Sequence, residues 1–306
     1  MRRPGTFARA VAYTGGICVS TGAPDRMKTA MTDAQPPTLR RKTHPVVAFA
    51  ALTQASLARI DTSLQDLLHR DEAEDLHQLR VAVRYARAVL WALAPALPLL
   101  ERERWKRELR TLARATSEVR DWDVFLAETV APAHGKAPDD PVLAAVAEVA
   151  ATRRNSARAA MLATLVSYRD GQLPVVQRDL AHLGHLAEKV AARGKAGRRD
   201  RLGPFASQRV RRGRKRLRAL KQAAQGGDLG AVHDQRIAGK RLRYTIEALA
   251  PVLPSRYTRR LHRKLIRQQT RLGGFVDAIV ARRLMCECLD VAELPDDVPP
   301  PPPGAS

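Results

Sequence analysis

A displacement of 156 residues lays HQLRVAVRYARAVLWALAPALP (77–98) on HDQRIAGKRLRYTIEALAPVLP (233–254), with ten of the 22 positions identical. The matched pairs include His77/His233, Arg80/Arg236 and Arg87/Arg243, and Arg84 meets Lys240 so that the charge is kept. Both segments close on the same Pro-bounded turn, ALAPALP against ALAPVLP. The register continues without a gap through Arg104/Arg260, Arg107/Arg263, Leu109/Leu265 and Asp121/Asp277, and Phe49 meets Phe205 upstream. A chain that carries one such unit twice builds its core from two related units, so the architecture of one constrains the other.

The unit itself is helical. Leu79, Val83, Ala86, Leu90 and Leu93 recur at three- and four-residue spacings, the pattern of one buried face. His77, Arg80, Arg84 and Arg87 fall within roughly 80° of one another on another face, in a stripe about 15 Å long. Like charges at such spacings repel and cost stability. A stripe that merely solvates a helix has no reason to hold register, yet a His and three cations stand in both copies.

Between residues 44 and 290 the same periodicity predicts helices near 46–69, 73–94, 98–118, 121–131, 141–169, 174–193, 204–224, 229–250, 256–272 and 275–290. β-branched alternation is almost absent, so the expected class is all-α. The expected architecture is two sequence-related antiparallel bundles with pseudo-twofold symmetry around a basic cavity. The first repeat runs about 44–170 and the second about 171–290, within a helical domain at 42–290. Residues 1–41 read as disordered or as an over-extended start, with Met27 or Met31 as the real beginning, and 291–306 as a Pro-rich tail.

Charge narrows the partners. Lys and Arg number 53 against 31 acids, for a net charge of +22, and self-repulsion of that size is relieved by a polyanion. Aromatic residues make up only 4% of the chain, which disfavours a reader of single strands that stacks bases. No apolar run approaches the roughly 20 residues of a membrane helix. Cys18, Cys286 and Cys288 cannot make a disulfide framework, and a reducing, cytoplasmic setting fits.

LHQLRVAVRYAR and VHDQRIAGKRLRYTIEAL, followed after the third helix by VRDWDVFLA (119–127), resemble the paired signatures of the CHAD family, the conserved histidine α-helical domain. The second copy departs at the last motif: FVDAIVARRL keeps Asp277 but has Val276 and Ile279 where Arg120 and Asp123 stand. The resemblance, over about 42–290, implies two facing four-helix bundles that bind inorganic polyphosphate, in some members at polyphosphate granules. It implies phosphate contacts from His77, Arg80, Arg84, Arg87, His233, Arg236, Lys240 and Arg243, with Arg107, Arg263 and Arg120 beside them. Many relatives carry a fused triphosphatase with a Glu-x-Glu-x-Lys strand; the nearest string here, ERERW (101–105), lacks the Lys and is helical in pattern, so a stand-alone binding module is expected.

Three functional readings arise from the residues. A linear polyphosphate has no bases to read, and a dense row of Arg forks and Lys charges suffices to hold it. Bound phosphate favours charged His, so affinity is expected to rise as pH falls. The same surface suits nonspecific nucleic-acid binding, with comparable affinity for duplex DNA. A metal-dependent phosphohydrolase centred on His233 and Asp234 is the third; the flanking cations oppose a metal ion there, and no metal or other cofactor is expected. No nucleophile, base and orienter fall in register, so catalysis is not expected. The segment 193–221 holds 13 basic residues and one acid among 29. Its linker part reads as solvated, and its helix either as a further wall of the anion site or as a charged surface.

Overall fold

The computed structural model describes residues 39–193, 200–225 and 229–292, which include most of the 42–290 domain and exclude nearly all of both predicted tails. Among the described residues there is no strand. Ten helices succeed one another there: α1 Pro45–His69, α2 Ala73–Leu93, α3 Leu99–Ala115, α4 Ser117–Phe125, α5 Ala131–Lys136, α6 Pro141–Ser167, α7 Leu173–Ala192, α8 Leu202–Gln225, α9 Leu229–Ala248 and α10 His262–Leu289.

The 156-residue displacement is visible in the element boundaries. It carries α1 and α2 onto α8 and α9 to within one residue at each end. It also carries the 3₁₀ turn Ala94–Ala96 onto the 3₁₀ turn Ala250–Val252 without offset. Both turns begin Ala-Pro, and a Pro within the first two positions of a turn gives up an N–H that has no helical partner there.

Beyond the turns the copies diverge. In the second copy a π turn at Tyr257–Leu261 precedes α10, whereas the first copy is regular α-helix throughout Leu99–Ala115. A π turn holds one extra residue, so the helix beyond it is rotated by about 100° relative to its counterpart. Arg107 and Arg263 therefore match in sequence but not in helical phase. Two more π turns, at Leu126–Val130 and Tyr168–Gln172, lead into α5 and α7. The break expected between 272 and 275 is absent, and α10 runs through Gly273 and Gly274. Each Gly costs a helix about 1 kcal/mol, and the helix carries buried Leu265 before the pair and buried Leu284 after it.

The chain divides into two compact units. The larger takes the described residues of 39–114 and 164–270, and the smaller takes Ala115–Ala163 and the described part of Arg271–Ser306. In the larger unit α1 packs on α2 and on α7, α8 packs on α9, and α2 packs directly against α9. The two matched helices thus lie side by side, each backed by the helix that precedes it. Phe49 meets Trp105 edge to face at 5.6 Å between ring centres. Leu79, Val83, Ala86, Leu90 and Leu93 are all buried, as their spacing predicts.

Size is exchanged between the copies at one position. Gly213 on α8 faces Leu242 on α9 so closely that a Cβ would sit 2.9 Å from Leu242 Cδ1. The same register in the first copy holds Leu57 and Ala86, both buried, with the large residue on the other helix.

In the smaller unit the core is Val119, Trp122, Phe125, Val146 and Met161, with Trp122 and Phe125 edge to face at 5.9 Å. Asp123, from the VRDWDVFLA motif, accepts from Arg154 Nε at 2.9 Å on the facing part of α6. Both side chains are largely buried, and the pair ties α4 to α6.

Candidate functional site

The first copy of the stripe is presented by α2. Its buried apolar face fixes the helix against α1 and α9, which leaves His77 and Arg80 half-buried and Arg84 and Arg87 exposed. Glu74 and Asp75 sit in the first turn, where they suit the positive end of the helix dipole. Arg70, just outside α1, pairs with Asp66 at 3.0 Å and with Asp75 at 3.1 Å, closing the α1–α2 connection.

Arg87 lies among arginines of neighbouring helices. Its guanidinium pKa is pushed down first by loss of hydration and then by Arg110 and Arg241. These three arginines come from α2, α3 and α9 respectively. Arg241 is itself pushed down by burial and by Arg216 on α8, with Asp234 acting in the opposite direction. Trp91, Gly213, Arg216, Asp234, Ile237, Ala238 and Arg241 line a small cleft of about 80 Å³ beside this cluster. Cations from four helices of the larger unit therefore act on one another here, and Asp234 is a carboxylate that offsets them at Arg241. An arrangement of this kind attracts anions and gives multiple donors for phosphate oxygens.

The second copy of the stripe is presented by α9. Arg236 and Lys240 are half-buried there, and the side chain of His233 is outside the described residues. Arg243 is engaged differently from its counterpart Arg87. Its NH1 donates to Glu247 Oε1 at 3.2 Å, and His262 Nε2 shares that oxygen at 2.7 Å. Tyr244 lies between the stripes: Arg84 stands over its ring at 5.8 Å and Arg243 at 4.4 Å. Close by, the Tyr85 hydroxyl is pushed up to about 12, mainly by burial, with Glu247 reinforcing and Arg59 opposing.

The remaining predicted residues lie on α3, α10 and α4. Arg107 is exposed and donates to its neighbour Glu108 at 3.1 Å. Arg263 is exposed near the start of α10. Arg120 is half-buried on α4 and belongs to the smaller unit. The larger unit thus holds both stripes, together with Arg107 and Arg263.

Arg110 stands at helical spacing from Arg107, and Arg216 lies in the basic 193–221 segment, so the sequence offers both as candidate lining; it does not reach Arg241 as a site residue. Arg241 is obscured by the repeat itself, because its counterpart is Tyr85. A search for cations common to both copies passes over it, whereas a search for cations neighbouring either stripe does not.

Not every cation on α8 faces outward. Arg209 donates from Nε to Ala92 O at 3.0 Å and from NH2 to Trp91 O at 2.7 Å. Its guanidinium also lies 4.5 Å from the Trp91 ring centre. A charge placed on the last carbonyls of α2 is a cap, and burial followed by Arg212 holds its pKa down. Arg41 plays a similar part at the other copy, donating to Val252 O at 2.6 Å. Arg211, Arg212, Lys215, Arg216, Arg218 and Lys221 are exposed around the rest of α8.

Other candidate chemistry is thin among the described residues. No three His, Cys, Asp or Glu side chains there converge as a metal site. Cys286 and Cys288 are half-buried free thiols, and burial with Glu287 pushes Cys288 up to about 11 against the pull of Arg153. His182 and His185 are exposed on α7. No described helix is long and apolar enough to cross a membrane.

The fold and the site define an all-helical protein with duplicated helices and a convergent cluster of cations. The CHAD domain family matches residues 51–286, and the chain belongs to that family. Among solved structures it is similar to the crystal structure of the CHAD domain from the plant Ricinus communis, at a TM-score of 0.67 and 25% identity, covering 84% of this chain and 83% of that one. No curated protein matches it.

Proposed function

We propose that this chain binds inorganic polyphosphate and acts as a binding module rather than as a catalyst. The binding set is the two stripes on α2 and α9 with Arg107 and Arg263 beside them, extended by Arg110, Arg216 and Arg241. The observation that carries the reading is the placement of Arg87 on α2 within reach of Arg110 on α3 and Arg241 on α9, both of which repel it. Their mutual repulsion is a cost in the free protein, and a ligand with several negative charges along its length relieves it. The CHAD family, which is generally linked to polyphosphate binding, supports the same ligand. Sparse cysteine supports a reducing cytoplasmic setting.

The contact is to phosphate oxygens alone, through Arg forks and Lys charges. Binding is accordingly length-dependent and falls with salt as counter-ions compete. The test is competition at physiological salt between long-chain polyphosphate and duplex DNA for the full chain. Polyphosphate displacing DNA at matched phosphate concentration supports the reading. Equal displacement by the two turns it into nonspecific binding of polyanions, nucleic acid included.

A further inference from the structure

The two copies of the stripe are not electrically equal. Displacement by 156 residues carries Arg87 onto Arg243, Trp91 onto Glu247 and Lys106 onto His262. At the first copy, the charged groups acting on Arg87 are arginines. At the second, Glu247 takes hold of Arg243 and His262 through one oxygen, at 3.2 and 2.7 Å. The Arg243, Glu247 and His262 side chains are 20%, 17% and 24% exposed, so solvent screens this contact far less than a surface ion pair. The contact is also incomplete, because Arg243 Nε and Glu247 Oε2 are buried and have no hydrogen-bond partner. The π turn at Tyr257–Leu261 ends at the residue before His262 and sets where that ring falls.

We propose, resting on the polyphosphate reading above, that Glu247 is a restraint which withholds Arg243 from the anion-binding set. Polyphosphate then seats first on the Arg87 side of the larger unit. Arg243 joins only when phosphate displaces the Glu247 carboxylate, which His262 retains. The buried Nε of Arg243 is the donor left over for that exchange. Glu247 touches the binding arginine and not the ligand, so it is a positioning residue. Its effect is to hold affinity below what the charge count of the two stripes alone would give. Tyr85 and Arg84 from α2, Arg59 from α1 and Tyr244 beside Arg243 are the other charged or titratable groups facing this arrangement.

The experiment titrates long-chain polyphosphate into the full-length wild type and into Glu247→Gln, Arg243→Ala and the double variant, each at several salt concentrations. Glu247→Gln keeps the shape and removes the charge. It is expected to tighten binding about fivefold. The salt dependence is expected to steepen by about 0.7 in logarithmic slope, the increment for one more phosphate contact on a single-stranded polyanion. Neither change is expected when Arg243 is already Ala. A merely structural role for Glu247 would alter stability without steepening the salt slope. Independently of how Glu247→Gln folds, Arg87→Ala is expected to cost more affinity than Arg243→Ala. Glu247→Gln binding no more tightly than wild type with an unchanged slope, or Arg243→Ala costing as much as Arg87→Ala, overturns the restraint. Wild type failing to bind polyphosphate at all overturns the functional reading instead.

Discussion

Arg209 separates two accounts of the basic helix α8, and its replacement by Ala is the sharpest structural test. The side chain gives two charge-assisted hydrogen bonds, to Ala92 O and Trp91 O, and stacks on the Trp91 ring. Hydrogen bonds from a charged donor contribute about 1.5–3 kcal/mol each, and a partly desolvated cation–π contact about 0.5–2 kcal/mol. Against this stands the loss of hydration that lowers the Arg209 pKa, reinforced by repulsion from Arg212. After Arg209→Ala, water can also reach part of the freed α2 end. The net loss is then about 2–4 kcal/mol. With a urea slope of about 3 kcal/mol per molar, the midpoint moves down by about 1 M. Urea unfolding followed by circular dichroism reads this directly, with Arg212→Ala, an exposed neighbour, as the control. Arg209→Lys should recover little, because an ammonium cannot serve both carbonyls and the ring as a planar fork does. A shift of under about 0.5 kcal/mol, coupled to loss of polyphosphate affinity, would refute the capping argument and make Arg209 a ligand contact.

Three further outcomes are expected from the packing and the ionisable groups. Asp123→Ala removes the buried carboxylate that Arg154 Nε donates to and is expected to destabilise the smaller unit by about 3–5 kcal/mol, read by thermal unfolding. Gly213→Leu overfills the α8–α9 contact and should cost about 1–3 kcal/mol; adding Leu242→Ala, the size order of the first copy, should recover most of it in a double-mutant cycle. Tyr85 carries a folded-state pKa of about 12 against an ordinary 10.0, so the unfolded chain ionises first as pH rises. Its stabilisation is complete below pH 10 and is lost between about pH 10 and pH 12, an effect of about 2–3 kcal/mol. Urea midpoints across that range should fall less steeply in Tyr85→Phe.

The features that the sequence disclosed and those it concealed have physical reasons. Leu79, Val83, Ala86, Leu90 and Leu93 announce a buried face because burial selects residue type at every turn, and the Ala-Pro turns mark where α2 and α9 stop. The duplication discloses which cations the two copies share. It could not disclose Arg241, whose counterpart is a Tyr, or Glu247, whose counterpart is a Trp. The three π turns have no residue signature of their own, so the phase difference between Arg107 and Arg263 was beyond reach of the periodicity. Gly273 and Gly274 read as a break because local propensity opposes a helix there, yet α10 runs through both. Arg209 was one more basic residue in a crowded segment. Its role depends on the carbonyls of a helix 117 residues earlier in the chain.

The central claim is that the paired stripes are the ligand-binding surface. Isothermal titration of long-chain polyphosphate into wild type and into Arg80→Ala/Arg236→Ala, at three or more salt concentrations, tests it most directly. The account predicts that the double variant binds about 10- to 100-fold more weakly, with a salt dependence shallower by about two phosphate contacts. Equal affinities and equal salt slopes for a variant that remains folded would contradict it.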